Sequence, residues 1–157
     1  PTVASAYLMT RAALRALFPD ALPERGGIRV ELRDDRVAGV AGVIANVASL
    51  VSGATQDTGF KGIGGRFDRR GLLFFGVELP GQMRFTRVDT AASAVVSARL
   101  DRLPADPRVA ELLPRSLDGT ATADERALFQ ALWQGRVRAL LVERAEDPEI
   151  IAVQAFP

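Results

Sequence analysis

The chain has 157 residues, 48% apolar and 25% charged, a balance that fits one folded domain over 1–157 and excludes a disordered segment. Twenty bases against nineteen acids give a net charge of +1, and arginines alternate with acids, as in Arg33-Asp34-Asp35-Arg36, so no basic stripe suits a nucleic-acid backbone. Cysteine and histidine are both absent, which excludes disulfides, His-dependent triads and the usual transition-metal ligands within the chain. No apolar run approaches the length of a membrane span and no secretory leader pattern opens the sequence, so the expectation is a soluble, cytoplasmic protein.

A first helix is predicted from Thr2 to Phe18, because Val3, Tyr7, Thr10, Leu14, Leu17 and Phe18 recur at intervals of three and four. Pro19 stops it. Its flank carries Ala4, Ala6, Ala12, Ala13 and Ala16, a surface on which another helix or a partner protomer can pack closely. Ile28 to Arg33 then alternates apolar and charged residues, the pattern of a strand with one buried face. A second helix is predicted from Val40 to Ser52, with Val40, Val43, Ile44, Val47 and Val51 as its core stripe and Gly53 as its stop. Gly42, Asn46, Ser49 and Gly53 form a small, polar seam along the same helix. Asn46 on such a seam serves either a ligand or the backbone of the loop that follows.

That loop, Gly53 to Gly71, holds six glycines. Glycine permits positive φ and close approach, so the stretch can turn sharply and present amide N–H groups to an anion. It also holds Lys61, the single lysine among twenty bases. A lysine amine is a compact charge whose pKa moves on burial, unlike the arginine fork, so Lys61 reads either as a catalytic acid/base or as a solvated loop residue.

Leu72 to Phe75, Gln82 to Val88 and Ala94 to Leu100 are short apolar or alternating runs separated by turn residues, and read as an antiparallel meander. Asp106-Pro107 opens a short helix to Leu113, and Thr122-Ala123-Asp124-Glu125 matches a capping box ahead of the longest helix, with Gly135 as its weak point. A last strand runs from Ile150 to Val153. Strand and helix signals are segregated, so the predicted class is α+β with an antiparallel sheet and helices packed on one side.

The order of these parts resembles the FmdE-like family, named for a component of formylmethanofuran dehydrogenase. Pro1-Thr2-Val3-Ala4-Ser5-Ala6-Tyr7 is similar to the tail of that family's Cys/His metal-binding pattern, starting one residue after its second cysteine. Asn46-Val47-Ala48-Ser49 stands at its D-A-x-Q, Ser52-Gly53-Ala54-Thr55 at its T-G-C-T, and Phe60-Lys61-Gly62-Ile63-Gly64-Gly65 at its G-K-G loop. Ala54 replaces the cysteine ligand and Asn46 the aspartate. The resemblance implies an α+β homodimer binding a divalent transition metal such as zinc, through ligands that it places upstream of Pro1. On that reading Tyr7, Asn46, Gln56, Asp57 and Arg66 contact ligand or support the site, and Lys61 is the electrostatic or acid/base partner.

Three other readings stand beside it. A prolyl amine at a free Pro1 would serve as acid/base, as in enzymes of the tautomerase type, where the proline opens a strand. The glycine-rich loop would bind a small anionic ligand, with Lys61, Arg66, Arg69 and Arg70 adding charge. A degenerate family member would keep only a dimeric interaction role, its interface formed by the alanine flank of the first helix and the apolar last helix.

Overall fold

The computed structural model describes residues 1–157. Strands Ile28–Leu32 (β1), Leu73–Phe74 (β2), Met83–Arg87 (β3), Ser93–Ala98 (β4) and Ile151–Phe156 (β5) form one sheet in the order β2-β1-β3-β4-β5. β1 and β2 run parallel and every other neighbouring pair is antiparallel. The class is therefore α+β, with one departure from a simple meander. The short β2 pairs with β1, not with β3, because the loop leaving Gly53 returns beside β1, where the Val30 N–H donates to the Leu72 carbonyl at 2.7 Å.

Helix Thr2–Leu17 (α1) crosses β3, β4 and β5, and helix Ala41–Ser52 (α2) packs on α1 and β1. Leu8 and Met9 of α1 share the core with Ile28, Val30, Leu32, Met83, Phe85 and Val96 of the sheet. The other side of the sheet is polar: register sets Arg29 beside Thr86, Glu31 beside Arg84, and Thr86 beside Ser93.

In α2 the inward face differs from the one predicted, whereas in α1 Thr10, Leu14 and Leu17 are buried as predicted and only Val3 and Tyr7 of that stripe are exposed. In α2 the buried residues are Ala41, Ala45, Ala48 and Ser52, while Val40, Val43 and Leu50 are exposed. In α1 the alanine flank goes inside, with Ala4, Ala6 and Ala13 buried, and Val3 and Tyr7 stay outside. Small side chains let helix axes approach closely, and that proximity decides the packed face here. Ala13, at 0% exposure, belongs to the core and offers no surface to a partner. The buried hydroxyls of Thr10 and Ser52 donate to carbonyls one turn back, Ala6 at 2.8 Å and Ala48 at 2.7 Å, so neither is stranded in the core.

Between β4 and β5 the chain makes a helical hairpin, Arg108–Leu117 (α3) and Ala123–Arg138 (α4). Asp106 caps α3, its Oδ1 accepting from the Arg108 N–H at 2.9 Å, and the helix runs on through Pro114 past the predicted end at Leu113. Ala110 and Pro114 lie on its exposed side, where the missing proline N–H costs least. The capping box forms as predicted, with Glu125 N–H to Thr122 Oγ1 at 3.2 Å and Thr122 N–H to Glu125 Oε2 at 2.8 Å. α4 passes Gly135 without a break and ends in one π-helical turn, Ala139–Glu143, that drives Leu140 into the core. No helix is long and apolar enough to cross a membrane.

Candidate functional site

The site begins where α2 stops. Gly53 takes the left-handed conformation, φ 80° and ψ −4°, and its N–H closes the last turn on Ser49 at 2.8 Å. A Cβ at this position would lie 3.0 Å from Arg69 Cδ and 3.2 Å from Arg25 Cβ. The missing side chain lets two arginine stems converge on the helix end.

Arg25 donates from Nε to the Val51 carbonyl at 3.2 Å and from Nη2 to the Leu50 carbonyl at 2.9 Å. A cation there satisfies orphan carbonyls and meets the negative end of the helix dipole. The Arg69 guanidinium lies over the Phe60 ring, 4.8 Å from its centroid. Its backbone is held by Thr55, whose N–H and Oγ1 both donate to the Arg69 carbonyl at 2.8 and 2.9 Å. Arg69 Nε is buried and has no hydrogen-bond partner.

A pocket of about 560 Å³ opens between these groups. Arg25, Arg69, Asn46, Ser49 and Thr55 give it a polar wall, and Leu50 and Phe60 an apolar one. Twelve ion pairs tie other arginines to carboxylates, but none involves Arg25 or Arg69. Two guanidiniums without a carboxylate thus line one cavity, Arg25 set against the carbonyl end of α2 and Arg69 over Phe60.

Of the residues singled out from sequence, Asn46 lines this pocket with its seam neighbours Ser49 and Gly53. Tyr7 lies outside it, on an adjoining apolar groove. Gln56 is half-buried, and Asp57, Lys61 and Arg66 lie on the loop, away from the pocket wall. Arg66 lies over the neighbouring Phe67 ring at 4.9 Å. Arg70 is bound to Asp68, whose carboxyl it pulls down to about 2 through side-chain and backbone hydrogen bonds.

The glycines have a local explanation. Gly64 and Gly65, at φ 58° and 77°, are the two central residues of a tight turn closed by paired hydrogen bonds between Ile63 and Arg66 at 2.9 and 3.0 Å. A Cβ on Gly62 would fall 2.1 Å from the Arg66 carbonyl oxygen. The pocket wall itself is built from side chains, Arg25 and Arg69 among them. Arg25 and Phe60 had no local signal in the sequence, since only the return of the chain past the α2 terminus brings them there.

Comparisons with protein-family models, curated proteins and solved structures find no match to this chain.

The resemblance places its metal ligands upstream of Pro1, and the residues of this chain supply no such set themselves. No three carboxylate, imidazole or thiolate groups cluster anywhere in the fold. Ala54, at the position of the cysteine in the resemblance, is a methyl group fully sealed in the core. The neighbouring pocket is walled by guanidiniums, which repel a cation. Pro1 immediately precedes α1, a helix, and not the strand that a tautomerase-type proline would open.

A second charged cluster lies on the polar side of the sheet. Glu31 is 2% exposed and accepts from Arg84 Nε at 2.6 Å, Arg84 Nη2 at 2.9 Å and Arg29 Nη2 at 2.9 Å. Burial alone would push its carboxyl up, but the hydrogen bonds and charges of Arg84 and Arg29 outweigh burial and hold it below its ordinary value. All three hydrogen bonds converge on the one carboxylate, so the cluster ties β1 to β3.

Proposed function

We propose that this chain binds a small organic anion in the pocket between the polar seam of α2 and the loop base at Thr55 and Arg69. The observation that carries this is that two guanidiniums, Arg25 and Arg69, line one pocket and neither has a carboxylate partner. Arg69 supplies a fork that suits a carboxylate or phosphate, and Arg25, whose Nε and Nη2 are held by the Val51 and Leu50 carbonyls, adds charge. Asn46, Ser49 and Thr55 add neutral hydrogen-bonding groups, and Phe60 and Leu50 accept the apolar part of an organic acid. The wall offers donors and charge, so the chemistry it supports is recognition of a negative group.

The test is thermal unfolding of the full chain with a panel of carboxylates, phosphate and sulfate at low ionic strength. A ligand present at a hundred times its Kd should stabilise the fold by about 2.7 kcal/mol. The shift should disappear in Arg69→Met and fall with added salt. If no anion in the panel shifts the transition, or if the shift survives in Arg69→Met, the proposal fails.

A further inference from the structure

Resting on the anion-binding reading, we infer that the ligand is amphiphilic: a straight-chain carboxylate whose head lies between Arg25 and Arg69 and whose chain runs over Leu50 into the adjoining groove. Leu50 lines both cavities. On one side of it stand the guanidiniums, and on the other a groove of about 470 Å³ formed by Val3, Tyr7, Val47, Val51 and Leu141. Leu50 is 76% exposed and Val3 60%, although a smaller, alanine-lined face of each helix is buried instead. No charged side chain lines this groove, although Pro1 brings the amino group of this chain to it.

The two cavities lie on adjacent faces of α2, because Asn46, Ser49 and Gly53 are displaced around the helix axis from Val47 and Val51, with Leu50 between the two rows. A ligand polar throughout would leave the groove empty, and one without charge would leave the guanidiniums unpaired. A molecule with an anionic end and an unbranched apolar chain satisfies both. A second copy of this chain fits less well: nine residues line the groove, against about 20–30 on each side of a stable protein interface.

The experiment is calorimetric titration of the full chain with sodium butanoate, hexanoate, octanoate and decanoate below their micellar concentrations, and with the uncharged alcohol 1-octanol. Affinity should rise about twofold to fourfold per added methylene, as expected for partial burial of each, and 1-octanol should bind at least tenfold more weakly than octanoate. The double variant Val3→Gln/Leu141→Gln, both in the groove and outside the anion pocket, should keep butanoate binding and lose the dependence on chain length. Arg69→Met should lose all four carboxylates.

Equal affinity along the series, or a chain-length dependence that survives in the double variant, overturns the inference and leaves the anion pocket standing. Octanol binding as tightly as octanoate also overturns it. Failure of every carboxylate, butanoate included, removes the anion pocket itself. Sedimentation of the same samples completes the test: a parent that self-associates and a double variant that does not would make a second copy the occupant and refute the inference.

Discussion

Replacing Arg69 by methionine should cost the empty protein nothing, and should stabilise it. Arg69 Nε is buried without a partner, a penalty of about 1–3 kcal/mol in the folded state. Against this stands the stacking of the guanidinium on Phe60 at 4.8 Å, worth about 0.5–1 kcal/mol at a partly exposed ring. Methionine keeps an unbranched stem of similar reach beside Gly53, so packing there is retained. Taking about 2 kcal/mol for the relief and about 1 kcal/mol for the lost stacking leaves a net gain of about 1 kcal/mol. In a chain of this length that raises Tm by about 2–4 °C. Differential scanning calorimetry of parent and variant, each with and without the best anion of the panel, reads both halves at once: the variant melts higher when empty and gains nothing from the anion. A variant that melts more than about 3 °C below the parent would mean that Arg69 is a structural strut, and the reasoning from its unsatisfied Nε would be wrong.

Glu31→Gln should destabilise the fold by about 2 kcal/mol at neutral pH, less than a fully buried pair because Arg29 and Arg84 reach solvent. The folded-state pKa of Glu31 lies below its ordinary value, so its contribution is complete above the unfolded value near 4.5 and is lost as pH falls through the folded one. Urea unfolding should therefore show parent and variant converging in acid, and a gap that stays constant with pH would refute the assignment. Gly53→Ala forces a Cβ onto a left-handed residue and toward both arginine stems, so urea melts should lose about 1–2 kcal/mol and calorimetry should show weaker anion binding. An unchanged midpoint would show that the two arginines do not depend on that glycine. Thr122→Ala removes the hydroxyl of the capping box and should cost about 1 kcal/mol, with faster amide exchange confined to the first turn of α4; unaltered exchange there would count against the cap.

The element pattern was legible because its signals are local. The capping box at Thr122 and Glu125, the Gly53 stop and the alternation in Ile28 to Leu32 each depend on a few neighbouring residues, and each is where the sequence places it. What faced inward was not legible. Ranking α2 by hydrophobicity favours Val40, Val43 and Val47, yet the close contact with α1 selects Ala41, Ala45 and Ala48, and periodicity cannot weigh proximity against bulk. The same limit hid the site. Asn46 and Ser49 stand on a visible seam, but Arg25, Phe60 and Arg69 reach it only through backbone pairing between Thr55 and Arg69 and the return of the chain beside β1. Glycine density in the loop has a local reason, since its tightest glycines serve the turn at Gly64-Gly65 and the close approach at Gly62.

The hairpin of α3 and α4 is an excursion whose two ends meet. Ala98 closes β4 and Ile151 opens β5, and these residues are register partners, so the chain leaves the sheet and comes back one strand spacing away, about 4.8 Å. The helices of the excursion contact mainly each other, which lets them form by local encounters while the β4–β5 pairing waits for loop closure. The excursion then becomes a separable opening unit in native-state exchange, anchored to the rest by Leu103 and Leu140. The arginine pocket draws no residue from it, but Val137 and Leu141 line the adjoining groove, so a replacement segment would have to start and finish at neighbouring strands and supply apolar side chains in place of Leu103, Val137, Leu140 and Leu141.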